Sequence, residues 1–197
     1  MLELRYYQRD SIDAIYRYWA NGGGNGLIVL PTGAGKAAVI AKIIEELLAS
    51  YPDMRILNVT HSASLVEQNF KEYLGFCPFG PAGVFSASLN RRDAKAQVLF
   101  CGIQSVWNKV DKLGQIDLVI VDEAHAISRN ANTQYGKFFR DVRVRNPDSR
   151  TMGLTATDYR MDSGMLTDSM DSDDEVDADG NPVRFKLFDD VVYEIGI

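Results

Sequence analysis

The sequence predicts an α/β domain built on a parallel sheet. Three observations point there. Short apolar runs such as "LIVL" (27–30) and "DLVIV" (117–121) have the composition of strands buried on both faces. Segments with helical spacing of apolar residues lie between those runs. Strand and helix alternate along most of the chain, the pattern that feeds a parallel sheet. At 197 residues, with 46% hydrophobic and 24% charged, the chain is long enough for one domain with its own core.

Each element follows from local pattern. Residues 5–20 space Ile12, Ile15, Tyr16 and Trp19 at helical intervals, and "NGGGNG" then breaks the chain. Strand 27–30 leads into the loop "PTGAGK" and a helix through "AAVIAKIIEELLAS". "RILNVTH" (55–61) reads as a strand and "SASLVEQNFKEYL" as its helix. "QVLFCGI" (97–103), "DLVIVDEAH" (117–125) and "RTMGLTAT" (150–157) are further strands, with a helix over 133–144. Residues 162–182 have no periodicity and are expected as an acidic mobile loop. Residues 183–197 return to strand-like composition as terminal strands of the same domain.

The net charge of −6 is unevenly spread. Eight acidic residues and no Lys or Arg fall in 162–182, and the remainder carries 21 basic against 19 acidic side chains. The body is therefore near neutral, which keeps a polyanionic partner open. No apolar run is long enough for a membrane span, and the charged N-terminus is no secretory signal. Cys77 and Cys101 lack metal-site spacing and read as reduced thiols, so a cytoplasmic protein is expected.

The chemistry gathers at expected carboxyl ends of strands, where ligands of such sheets bind. In "LIVLPTGAGKA" (27–37), Gly33 and Gly35 let the backbone turn its N–H groups toward an anion. Lys36 adds a point charge at the start of a helix. A Gly-rich turn with a surface lysine has the same letters, but "VDEAH" (121–125) argues against that simpler reading. There Asp122 is placed to hold Mg²⁺, and Glu123 to orient and deprotonate an attacking water.

With both motifs present, the chain resembles the first RecA-like domain of the superfamily 2 helicases, a P-loop fold with a parallel sheet sandwiched by helices. The likeness covers residue 2 to the end and is nearest to the RadD group of bacterial and phage DNA-repair helicases, related to XPB and the type III restriction translocases. "LRYYQRDSIDAI" resembles the adenine-recognition motif, which implies Gln8 on the adenine edge with Arg5 and Tyr7 nearby. The resemblance implies ATP and Mg²⁺ as cofactors, held by Pro31, Thr32, Gly33, Ala34, Gly35, Lys36 and Ala37. "VTHSASLVEQN" and "GIQSV" resemble nucleic-acid motifs, which implies DNA contacts from Thr60, Ser62, Ser64, Gln104 and Ser105. Arg91 and Arg92 are placed to add charge. "LTATDYR" resembles motif III, which implies that His125 couples the ATP site to Thr155 and Thr157.

Three departures qualify the likeness. Ala37 stands where the family has the Ser or Thr that ligates Mg²⁺. Asp158 replaces a proline. The chain also ends where a second RecA-like domain with an arginine finger would begin. The expectation is an ATP-binding domain over 1–161, impaired in hydrolysis by itself and needing a second domain or partner chain. A non-catalytic nucleotide- or DNA-binding module, or a truncated remnant, remains the alternative. "EVDADGNPVRFK" imitates a calcium loop but has Lys186 where a bidentate Glu is required, so a solvated acidic loop is expected there.

Overall fold

The computed structural model describes residues 3–161, 164–176 and 182–195. Helix α1 (Tyr6–Ala20) buries Ile12 and Ile15, and strand β1 (Gly26–Val29) follows. After the glycine-rich loop comes α2 (Lys36–Ser50), then β2 (Ile56–Thr60) and α3 (Ala63–Phe76). β3 (Ala82–Ser86), β4 (Arg91–Arg92) and β5 (Val98–Gly102) precede two short helices, α4 (Ile103–Val106) and α5 (Val110–Leu113). β6 (Leu118–Asp122), a 3₁₀ turn (Ala124–Ala126), α6 (Gln134–Arg145) and β7 (Arg150–Thr155) complete the repeating part. β8 (Met170–Val176), β9 (Pro182–Phe185) and β10 (Asp190–Glu194) close the chain.

The main sheet has the order β10-β1-β7-β6-β2-β5-β3-β4 and is parallel except for the β3–β4 pair. Side chains alternate across it. Leu118 and Ile120 of β6 point into the layer under α1–α3, whereas Val119 and Val121 point into the layer under α4–α6. The expected sheet sandwiched by helices is thus present. Because β6 and β2 are buried along their whole length, polar groups reach solvent only beyond their ends.

Two parts differ from expectation. Residues 82–86, unassigned from sequence, form the inner strand β3. Its Gly83 lies so close to the β4–β5 connection that a Cβ there would meet those of Ala96 and Asp93 at 2.6 Å. The segment expected to be an irregular acidic loop contains β8, paired antiparallel with β9. Asp171 of β8 sits 3.2 Å from Arg129 and 3.2 Å from Arg184, so part of the acidity is balanced by paired arginines. Asp162, Asp177, Asp179 and most of the turn of the apparent calcium loop lie outside the described residues. Asp190–Glu194 do form a strand of the same domain, β10, on the edge beside β1.

The start of α6 packs very tightly on the preceding loop. Thr133 caps the helix by accepting from the Gly136 N–H at 3.3 Å, and a Cβ on Gly136 would lie 1.9 Å from the Ala131 carbonyl oxygen. Backbone cannot yield as a flexible side chain does. Gly136→Ala is expected to cost about 3 kcal/mol, lowering the melting temperature by roughly 6–12 °C. A melt within a degree of the native chain contradicts this close approach.

Candidate nucleotide and nucleic-acid site

The ends of β1, β6 and β7 build the candidate nucleotide site, and the ends of β2 and β5 carry the candidate nucleic-acid residues. β1 delivers the loop Pro31–Gly35, in which Gly33 and Gly35 both have φ of +80°. Only glycine takes that backbone without strain. Nothing lies within 4 Å of the position of a Gly33 Cβ, so the outer side of the loop is open. Thr32 is exposed, Ala34 is buried, and Lys36 and Ala37 begin α2. The first N–H groups of that helix have no carbonyl before them within the helix and face the loop.

The loop is braced from α1. Gln8 is buried; its Nε2 donates to the Ala34 carbonyl at 2.7 Å, and its Oε1 accepts from the Arg5 N–H at 2.8 Å. Arg5 Nη1 donates to the Tyr7 hydroxyl at 2.8 Å, and that hydroxyl donates to the Ala34 carbonyl at 3.3 Å. Arg5, Tyr7 and Gln8, expected at the adenine, are therefore brought to the glycine loop. The Gln8 amide, however, faces the loop rather than an open base-binding edge.

The "VDEAH" carboxylates stand at the end of β6. Asp122 is 7% exposed; its Oδ2 accepts from Asn69 Nδ2 at 2.8 Å and its Oδ1 from the Glu123 N–H at 3.0 Å. Burial, reinforced by the charge of Glu123, raises the Asp122 pKa against the opposing effects of Asn69 and Lys36. Glu123 has φ of +53°, a left-handed conformation unusual for a residue with a Cβ. That turn places its carboxylate between Lys36 Nζ at 3.4 Å and His125 Nδ1 at 3.3 Å. The same His125 nitrogen lies 3.0 Å from Thr155 Oγ1 at the end of β7. Thr155 Oγ1 in turn accepts from the Thr157 N–H at 3.3 Å.

The expected nucleic-acid residues divide. Ser62 caps α3 and lies 3.1 Å from the exposed Ser64, oxygen to oxygen. The exposed Gln104 donates to the His61 carbonyl, which joins these loops into one surface. Thr60 is fully buried with its hydroxyl donating to the Ser62 carbonyl at 3.2 Å, and the Ser105 hydroxyl accepts from the Ala87 N–H at 2.9 Å. These two side chains organise the loops from inside and do not face solvent. Arg91 pairs with Asp93 at 2.7 Å and lies over Phe70, and Arg92 lies over Phe85. Sequence reasoning missed Asn69. The signal was present: on α3 it shares the buried stripe with Val66 and Tyr73, and a polar residue there requires a buried partner.

The donor set suits a polyphosphate, with a lysine at a helix start and an open glycine turn. For Mg²⁺ it supplies the Asp122 carboxylate and no hydroxyl at position 37. Among the described residues, no group of three or more His, Cys, Asp or Glu side chains could hold a metal, and no helix is long and apolar enough to cross a membrane.

Comparison with known proteins gives the lineage. The family model described as type III restriction enzyme, res subunit, matches residues 1–160. Helicase 22 of Sulfolobus islandicus filamentous virus is 29% identical over 182 residues, covering 83% of this chain and 30% of the viral protein. The DNA 3'-5' translocase XPB2 of Sulfurisphaera tokodaii is 28% identical over 165 residues, covering 82% and 32% of the two chains. The chain thus spans about a third of the length of these relatives. Among solved structures, the UvsW helicase of bacteriophage T4 aligns with TM-score 0.62 at 18% identity, over 80% of this chain and 54% of that one. The Sulfolobus solfataricus SWI2/SNF2 ATPase core, solved with double-stranded DNA, aligns with TM-score 0.61 at 18% identity, over 79% and 32%. These two likenesses concern the fold.

The bracing of the loop has a measurable signature. A Cβ on Gly35 would meet Gln8 Nε2 at 2.5 Å, besides occupying a left-handed backbone. Gly35→Ala is expected to cost about 2–3 kcal/mol and Gln8→Ala about 1–2 kcal/mol in urea unfolding. The double variant should cost less than the sum, because removing Gln8 relieves the clash. Strict additivity contradicts the contact.

Proposed function

The chain belongs to the res-subunit family of type III restriction enzymes and is a RecA-like ATP-binding domain of superfamily 2 helicase descent, and on that premise we propose that it is the nucleotide-binding half of a DNA-dependent ATPase motor. The observation that carries the reading is the meeting of Lys36, Glu123, His125 and Thr155 at the ends of β1, β6 and β7.

In this reading the loop amides and Lys36 take the β- and γ-phosphates of ATP. Lys36 then shifts from Glu123 to phosphate, and the freed carboxylate orients and deprotonates water. His125, between Glu123 and Thr155, passes the state of the site to the motif III loop. Mg²⁺, when bound, neutralises charge developing on the phosphates, and Asp122 is the residue that would hold it. Ala37 offers no oxygen to the ion, so hydrolysis is slow while binding persists. Single-stranded DNA lies along Ser62, Ser64 and Gln104 through its phosphates. Strand separation requires a second RecA-like domain that closes on the nucleotide and supplies an arginine finger, a contribution on the order of 10³ or more in rate. The chain works in the cytoplasm.

A second reading, a nucleotide-binding module that does not turn over, is favoured by Ala37 alone. Calorimetry and turnover separate the two. Ala37→Ser is expected to tighten Mg²⁺-ATP binding and raise hydrolysis, whereas Lys36→Ala should weaken binding at least about tenfold, or ~1.4 kcal/mol. Hydrolysis that stays absent in Ala37→Ser, even with a finger-bearing second domain added, favours the static module. Equal Mg²⁺-ATP affinity for the native chain and Lys36→Ala contradicts the site itself.

A further inference from the structure

Helix α6 carries charge that the nucleotide site does not use. Its sequence "QYGKFFRDVRVR" has four cations and a single acid, Asp141, in a chain of net charge −6. Tyr135, Phe138, Phe139 and Val142 form its buried face. Lys137, Arg140, Asp141 and Val144 follow at three- and four-residue steps on the other side, and Val144 is 82% exposed.

That outer side borders a groove of about 650 Å³ formed with Trp107, Asn108 and Phe185. Lys137 Nζ lies 5.7 Å from the centre of the Trp107 ring, and the Arg143 guanidinium lies 4.8 Å from that of Phe185. Arg143 also donates to the Lys186 carbonyl, which fixes the guanidinium at the groove edge. Three cations and one carboxylate line the groove, interleaved with two aromatic rings. It lies on the α4–α6 side of the sheet, whereas α2, which begins with Lys36, packs on the other side.

We propose that this groove binds single-stranded nucleic acid, as a second contact beyond Ser62 and Gln104 that continues past the end of α4 at Trp107. Lys137 and Arg143 are about 9 Å apart along the helix axis, the length of two to three stacked nucleotides. Cations at that spacing meet phosphates two to three nucleotides apart, and bases stack on the faces of Trp107 and Phe185 that Lys137 and Arg143 do not cover. An acidic protein segment matches the charge but has no use for the two rings. The proposal does not depend on nucleotide binding at Lys36.

The test is fluorescence anisotropy with a labelled oligothymidylate, using the full chain and the variants Lys137→Glu and Trp107→Leu, each first shown to melt as the native chain does. Lys137→Glu is expected to weaken binding about tenfold and to lower the slope of log affinity against log salt by about 0.7, one phosphate contact. Trp107→Leu, made in the Lys36→Ala background so that the glycine loop does not compete, should weaken oligothymidylate binding at least about fivefold while leaving inorganic polyphosphate binding unchanged, because only the former has bases to stack. Lys36→Ala should bind the oligonucleotide as the native chain does, so a failed ATP site and a failed groove give different results. Oligothymidylate affinity unchanged in both groove variants, with loss confined to Gln104→Ala, overturns the proposal. So does a poly-glutamate peptide that binds as tightly as the oligonucleotide and loses equally in Lys137→Glu, an outcome that assigns the groove to an acidic protein.

Discussion

The ion pair between Lys36 and Glu123 joins the ends of two strands that are not neighbours. β7 runs between β1 and β6, and its last residue, Thr155, meets His125 beside the pair. Three motifs far apart in sequence are therefore joined through Glu123, which holds Lys36, and His125, which meets Thr155. The pair is only partly exposed, with side-chain exposures of 11% for Lys36 and 27% for Glu123, so screening by solvent is incomplete. A triphosphate brings more negative charge than one carboxylate and competes for the same lysine. The contact that orders the site is thus the one that the ligand is expected to replace.

What lets the pair form is backbone. A residue after β6 in ordinary extended conformation would continue along the strand; at φ of +53° Glu123 turns across the end of the sheet instead. Such a conformation has an energetic cost and persists where the surroundings hold it. Here the Glu123 N–H is fixed by Asp122, and its carboxylate by Lys36 and His125. Asp122 in turn is fixed by Asn69 from α3, the helix that begins at Ser62. A chain of buried and half-buried contacts, continued by helix α3, therefore leads from the glycine loop to the surface carrying Ser62 and Gln104. It offers a physical route by which an event at one could bias the other.

Much of this was legible in sequence because parallel strands buried on both faces leave unmistakable apolar runs, and because motifs at their ends inherit their positions. The glycines of the loop and the Asp122–Glu123 pair were readable for that reason. β3 was hidden because the tight approach at Gly83 requires a residue with no hydrophobic signature. β8 was hidden because its acidic composition contradicts strand propensity, and the pairing of Asp171 with Arg129 and Arg184 is a tertiary fact. Thr60 and Ser105 were expected to contact DNA because their segments resemble nucleic-acid motifs. Thr60 ends a strand covered on both faces, and Ser105 lies on the inner side of a short helix. The resemblance places the Gln8 amide on the adenine edge; its contact with the Ala34 carbonyl is a tertiary fact that no sequence pattern shows.

In the proposed function the open glycine turn and the start of α2 form a ready phosphate cradle. Hydrogen–deuterium exchange of the amides of residues 32–38, measured with and without Mg²⁺-ATP, addresses it most directly. The account predicts slower exchange across this loop on adding nucleotide, accompanied by changed protection around Glu123 and His125 as Lys36 transfers to phosphate. Exchange in residues 32–38 that is indifferent to saturating nucleotide, with protection appearing elsewhere, would contradict it.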